Sequence, residues 1–247
     1  MSLLPITLSV KRNLDAQQFA PKDGAAGKPK RRKPISKSEL SKLVQHTFEK
    51  DSFTCCYCGF KANQFQKAIP KDWAVTDPRD SQMVTACVFC EQCFALETVG
   101  PMSSGTLIWL PEISQATLHH IMRAVYASRA QMDVAPDNIK SCADRTFEVL
   151  FNRRGEAKRR IGTDDPMVLA ASLLENVNEE TFRKREEKIN GIRLMPLDKR
   201  MIPSNSGKDN DQFPRIIEYW VSDEGPLGKL PPTNWEALQL GITKTAV

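Results

Sequence analysis

The chain has 247 residues, of which 40% are hydrophobic and 26% charged, with a formal net charge of +5 and seven cysteines. That length is enough to bury a core, as one irregular domain or as a small module with a helical extension. No stretch approaches the roughly 18–20 uninterrupted apolar residues of a membrane-spanning helix, and the start of the sequence lacks an apolar signal segment, so a cytosolic protein is expected.

In chain order, Ile6-Thr7-Leu8-Ser9-Val10 alternates as a short strand does. Residues 1–34 then carry Lys11, Arg12, Lys22, Lys28, Lys30, Arg31, Arg32 and Lys33 against Asp15 and Asp23, so this arm holds +6 and the remainder about −1. Residues 20–35, rich in Lys, Pro, Gly and Ala, read as a solvated flexible loop. The cluster Lys28 to Pro34 offers a second reading, because clustered cations bind nucleic acid or anionic lipid by releasing counterions. Ser36 is placed to cap a helix running to about Lys50, with Glu39 completing a capping box and Leu40, Leu43, Val44 and Phe48 on one face.

Six of the seven cysteines fall between Cys55 and Cys93. In a cytosolic protein that density points to metal or redox chemistry before disulfides. Cys55-x2-Cys58-x28-Cys87-x2-Cys90 is the pattern of a closed tetrahedral site. Each pair turns two thiolates toward one side, and folding brings the pairs together around one structural zinc ion. Gly59 suits the first knuckle, since a residue without Cβ takes positive φ readily. Cys93 stands as an alternative to Cys87 but should lie a turn into a short helix from Glu91 to Leu96, Cys56 should point away, and the isolated Cys142 reads as a small buried hydrophobe. With four thiolate ligands no coordination position remains open, so such a metal would replace a hydrophobic core and would not activate water.

Thr106 to Leu110 is the next predicted strand, ended by Pro111. Glu112 to Ala130 has Leu118, Ile121, Met122 and Val125 at helical spacing. A further helix is expected over Ile139 to Phe151, and another from Asp165-Pro166, where Asp caps and Pro takes the first turn. Residues 179–190 extend the helical part, and beyond Pro196 the sequence reads as irregular. Within that tail Phe213, Ile216, Ile217, Tyr219 and Trp220 form an apolar cluster, suited to an interface but read first as packing back on the core. Trp109 is assigned to the core as well.

The frame of Cys55 to Gly59, Ile69-Pro70 and Gln82-Met83-Val84-Thr85 ahead of Cys87 and Cys90 resembles zinc-stabilised HNH endonucleases. Their activity needs a histidine base and further His or Asn ligands for a catalytic ion. At the corresponding positions this chain has Gln66-Lys67-Ala68, Gln82 and Glu91, and no histidine lies between His46 and His119. His119 and His120 are adjacent and diverge by about 100° on a helix, so they do not chelate as an i, i+4 pair would. No catalytic residue is therefore assigned.

A second resemblance covers more of the chain. The runs Thr54 to Phe60, Val84 to Phe94, Leu96 to Gly100 and Gly105 to Gln115 are similar to the IcmJ (DotN) family of Dot/Icm type IVB secretion systems. That resemblance implies a non-catalytic adaptor at the cytoplasmic face of the inner membrane. It would be bound to the C-terminal extension of the coupling ATPase DotL, beside the IcmS-IcmW chaperones that deliver effectors. The alternative is a DNA- or RNA-binding HNH-like module. The expected fold is α+β: residues 1–36 as a short strand and basic arm, 37–110 as the zinc-binding HNH-like module of hairpin elements and helix, 111–195 as a helical extension packed on it, and 196–247 as an irregular tail.

Overall fold

A computed structural model describes residues 3–11, 35–72, 79, 82–131, 136–175, 178–203 and 209–228. The basic cluster Lys28 to Pro34 lies outside the described residues.

The first helix, α1 (Lys37–Lys50), starts as expected: Ser36 Oγ accepts from the Glu39 amide at 3.1 Å. The box is only half made, because the Glu39 carboxylate pairs with Arg79 at 3.9 Å. Next come β1 (Gln66–Pro70) and β2 (Met83–Cys87), an antiparallel pair in which Gln66 faces Cys87 and Pro70 faces Met83. The chain passes from β2 directly into α2 (Val88–Cys93), then α3 (Leu96–Val99). The expected helix Glu91 to Leu96 thus begins three residues earlier, since Cys87 itself caps it.

Strand β3 (Gly105–Trp109) is followed by α4 (Gln115–Ala130). Ser114, not Glu112, opens α4, with its Oγ accepting from the Thr117 amide, while Glu112 pairs with Arg153. Then follow α5 (Asp137–Asn152), α6 (Arg154–Ile161), α7 (Pro166–Glu175), α8 (Glu179–Arg183) and α9 (Arg185–Lys188). Asp165 caps α7 through its Oδ1, which accepts from the Met167 amide at 2.8 Å. Helix α6 was not anticipated; it closes on Gly162 at φ +80°, a left-handed stop that glycine supplies at no steric cost.

Strand β4 (Ile192–Pro196) pairs antiparallel with β3, Thr106 opposite Met195 and Trp109 opposite Ile192. This two-stranded sheet is a wall between two cores. Ile108 and Met195 face one core with Leu118, Met122, Phe89 and the cysteine pairs. Leu107, Ile192 and Leu194 face the other, with Leu96, Val99, Ala157, Leu169 and Leu173. A strand buried on both faces carries apolar residues without alternation, hence the run Leu107-Ile108. Gly191, which leads into β4, has φ +81°, and a Cβ there would collide with the Trp109 ring. Gly191→Ala is expected to lower stability by about 2–3 kcal/mol, read as a fall in the urea midpoint at unchanged m-value.

Two readings are corrected here. Ile6 to Val10 is extended but forms no ladder. Its backbone is held singly, the Ser9 amide donating to the Cys93 carbonyl and the Leu96 amide to the Ser9 carbonyl, while Arg185 Nε donates to the Leu8 carbonyl. Its neighbours are helix ends and a side chain, so there is no strand edge to join. Cys142 is exposed, because it lies on the outer face of α5, where only Ala143 and Leu150 are fully buried.

The segment after Pro196 has a short pair, β5 (Met201–Ile202) with β6 (Asn210–Asp211), and a helix, α10 (Phe213–Val221). Phe213, Ile216 and Trp220 are buried in the first core, as the core-packing reading expected, and each such burial contributes about 1.5–3 kcal/mol. Trp220 meets Phe60 and Phe89 edge-on, with ring centroids 5.3 and 5.4 Å apart, and Tyr219 Oη accepts from the Asn63 amide. The result is a mixed α+β fold of short two-stranded sheets and packed helices around a buried cysteine cluster.

Candidate metal centre

The first cysteine pair sits in a tight turn bracketed by the bridge Thr54–Lys61. The Cys55 amide donates to the Phe60 carbonyl and the Gly59 amide to the Cys55 carbonyl, with Gly59 at φ +75° as the knuckle requires. The turn leans on β2 through the Cys56 amide and the Thr85 carbonyl, and Asp51 at the end of α1 accepts from the Thr85 amide at 2.7 Å. The second pair straddles the strand-to-helix junction. Cys87 ends β2, and its Sγ accepts from the Cys90 amide at 3.4 Å. Hairpin and helix thus present the second pair to the first.

The Sγ atoms of Cys55, Cys58, Cys87 and Cys90 all lie within 4.8 Å of one another, and all four residues are buried. Cys58 and Cys87 sulfurs are 3.7 Å apart. Sulfurs at the corners of a tetrahedron with metal–sulfur bonds of about 2.3 Å stand about 3.8 Å apart, so the cluster has the size of a four-thiolate metal site. Cys93 is turned away from it: its Sγ bonds the Phe89 carbonyl and packs in the second core. Cys56 is only half-buried, its Sγ near the Thr54 carbonyl.

The electrostatics favour anionic sulfur at two of the four positions, Cys58 and Cys87. Hydrogen bonds from the other three thiols, with Arg123 nearby, hold Cys58 far below the usual thiol range against the opposing effect of burial. Burial opposes charge on Cys87 too. Hydrogen bonds from Cys55 and Cys90 and the Arg123 guanidinium outweigh it and bring that thiol down to about 6. Cys55 and Cys90 are pushed up, Cys55 mainly by its hydrogen bond to Cys58 and Cys90 mainly by burial.

Helix α4 supplies four residues that sequence reasoning did not assign to the site. Gln115 clamps β4: its Oε1 accepts from the Leu194 amide at 2.9 Å and its Nε2 donates to the Leu194 carbonyl at 2.7 Å. That pairing fixes which way the amide points. Its remaining N–H then donates to His119 Nε2 at 2.9 Å, which leaves the imidazole proton on Nδ1, 3.3 Å from the Cys90 sulfur. Burial brings His119 down to about 3, so the ring is neutral and donates one hydrogen bond to the sulfur. One turn along, Arg123 Nη2 lies 2.8 Å from the Cys87 sulfur and 3.6 Å from that of Cys58. His120 Nε2 donates to the Cys58 carbonyl at 2.8 Å. Such donors orient thiolates and temper their charge. The legible signal was the polar series Gln115, His119, Arg123 at four-residue spacing beside the apolar stripe of α4.

The chain is 34% identical over 184 residues to the type 4 apparatus protein DotN of Legionella pneumophila, a match covering 72% of this chain and 77% of that protein. The chain belongs to the DotN family. No family model matches it. In this DotN-family chain, the three positions singled out by the HNH resemblance lie on the surface or in an ion pair. Lys67 is exposed on β1 opposite Ala86, and Gln82 is exposed just before β2. Glu91 on α2 is taken up by Arg200, whose Nη2 is 3.2 Å from its carboxylate, with both side chains largely buried. Among the described residues of this DotN-family protein no helix is long and apolar enough to cross a membrane.

Proposed function

We propose that this chain is a non-catalytic subunit of a type IV secretion apparatus, a rigid docking body whose fold is clasped by one zinc ion on Cys55, Cys58, Cys87 and Cys90. The observation that carries this reading is the closed, buried four-sulfur cluster in a chain of the DotN family. Four soft thiolates in tetrahedral array suit Zn²⁺, and a metal so enclosed supplies cohesion, not a reactive water. The hairpin β1–β2 running into α2 supports an HNH-like module, and the carboxylate of Glu91 committed to Arg200 supports the absence of nuclease chemistry.

Membership of the DotN family supports an adaptor role. The chain docks on the cytoplasmic C-terminal extension of the coupling ATPase and through it serves effector recruitment beside the IcmS-IcmW-like chaperones, peripheral to the inner membrane. Co-expression with that extension is expected to give a complex that survives size-exclusion chromatography. Elution of the two as separate species would overturn the docking role. Tight, salt-sensitive DNA binding that disappears on deleting residues 1–34 would favour a nucleic-acid module instead.

A further inference from the structure

Arg123 is 2% exposed in the middle of α4, among the largest fully buried side chains of the protein. Its Nε and Nη1 have no hydrogen-bond partner. Only Nη2 is engaged, by the sulfurs of Cys87 and Cys58. The guanidinium is boxed by aromatic rings: its carbon is 4.0 Å from the centroid of Phe60, 5.2 Å from Phe89 and 5.8 Å from Trp220. Phe60 belongs to the first knuckle, Phe89 to α2 and Trp220 to α10, so one side chain meets a ring from each of these three segments.

A guanidinium is always charged, and burying it away from water is strongly unfavourable unless anionic charge faces it. Here that charge comes from sulfur. Four thiolates around a divalent ion carry two net negative charges, and one buried arginine halves that excess. The same cation gains from the electron-rich faces of the rings that enclose it. Metal, cation and aromatic box therefore stabilise one another, and Trp220 is the only one of the three rings contributed by the segment after Pro196.

We propose that Arg123 is the counter-ion of the metal centre and the positioning residue through which bound metal seats Trp220, tying helix α10 to the four-cysteine site. The proposal rests on the reading that the cluster holds a divalent metal. With metal in place, the sulfur charge holds the guanidinium in register and the rings close on it. With the cation removed, the centre keeps its four sulfurs but loses its charge balance, and α10 loses the surface on which its tryptophan rests. Coupling of this kind is reciprocal, so weakening the seat of Trp220 must weaken the metal by the same factor.

The test uses the full chain, with zinc affinity measured by competition against a chromophoric chelator and hydrogen exchange followed at residues 213–221. Arg123→Met is expected to weaken zinc binding by about 10- to 100-fold, with Arg123→Lys recovering part of the loss. The sulfur-to-metal charge-transfer band of the cobalt-substituted protein should shift in Arg123→Met. Trp220→Ala, far from any sulfur ligand in sequence, is expected to weaken zinc by about fivefold or more. The double variant should lose less than the product of the two single losses. Chelation of the wild type should deprotect residues 213–221 together with the cysteine module. Stoichiometric zinc in the wild type, with unchanged affinity and an unshifted cobalt band in Arg123→Met, would overturn the proposal alone. Failure of the wild type to bind zinc would overturn the metal reading and the proposal with it. Should Arg123→Met not fold, Trp220→Ala and Trp220→Phe decide: unchanged zinc affinity in both rejects the coupling.

Discussion

Cys58→Ala and Cys90→Ala are each expected to leave a chain with far less than one zinc per molecule and without its native near-ultraviolet dichroism. Structural zinc on four protein ligands is worth about 10–16 kcal/mol in small modules, whereas a whole domain of this kind is stable by only about 5–15 kcal/mol. Among the described residues of the module no other device approaches that figure. α1 is nearly all exposed, with Thr47 its single fully buried residue, and β1–β2 is a two-stranded pair of five residues each. Two-stranded hairpins are marginal alone in water. The four sulfurs also sit inside the first core with Phe60, Phe89 and Trp220, so their separation opens the packing around them. Metal content by elemental analysis and near-ultraviolet dichroism, measured on protein purified without added zinc, provide the check. A Cys58→Ala protein with native dichroism would show that the cluster does not hold the module together.

Glu91→Ala should cost about 3–5 kcal/mol, more than any surface substitution, because it strands Arg200 as an uncompensated buried charge. Arg200 is 5% exposed, and its Nε and Nη1 already lack partners, so the Glu91 carboxylate at 3.2 Å is the anion that balances it. Arg200 also holds the tail together, its amide donating to Asp211 Oδ1 and its carbonyl accepting from the Gln212 amide. The double variant Glu91→Ala/Arg200→Met should regain most of the loss, since replacing a buried pair with apolar groups is often neutral. Chemical denaturation of the two single variants and the double variant completes the cycle. A Glu91→Ala midpoint equal to that of the wild type would mean the pair is balanced by water. The prediction also separates two readings of position 91: a residual nuclease ligand would affect catalysis and leave stability alone, whereas a structural anion does the reverse.

The sequence made local features plain and distant ones obscure. The starts of α1 and α7 were readable because their caps, Ser36 and Asp165, act within three residues of themselves. The spacing of the cysteines carried the four-sulfur cluster for the same reason: each pair is a turn, and each turn writes its own short signature. Strand β4 escaped because its partner β3 lies more than 80 residues earlier, and Ile192 to Pro196 has no pattern of its own. In the sequence, α10 reads as an apolar cluster suited to an interface but packing first on the core. Pro214 suggests a break, yet it stands in the first turn, where proline belongs, and Phe213, Ile216 and Trp220 keep helical spacing. The polar series Gln115, His119 and Arg123 is visible in the sequence, but its role is not, because each acts on a sulfur or strand brought to it by the fold. On α4 itself they look like polar interruptions of an apolar face.

The wall shared by the two cores has a consequence for how the chain is made. Synthesis proceeds from the N-terminus, so both cysteine pairs leave the ribosome roughly a hundred residues before β4 does. Until then β3 has one bare edge, Gln115 has no Leu194 to clamp, and the imidazole of His119 is free to carry its proton on either nitrogen. A metal held by the four cysteines would thus be captured by a half-built molecule, before β4 and α10 have arrived to enclose its surroundings. Closing a loop of that length is slow relative to making local helices. Completion of the sheet must therefore wait until β4 has been made, and nascent chains halted between α7 and β4 should be open along one side of the sheet.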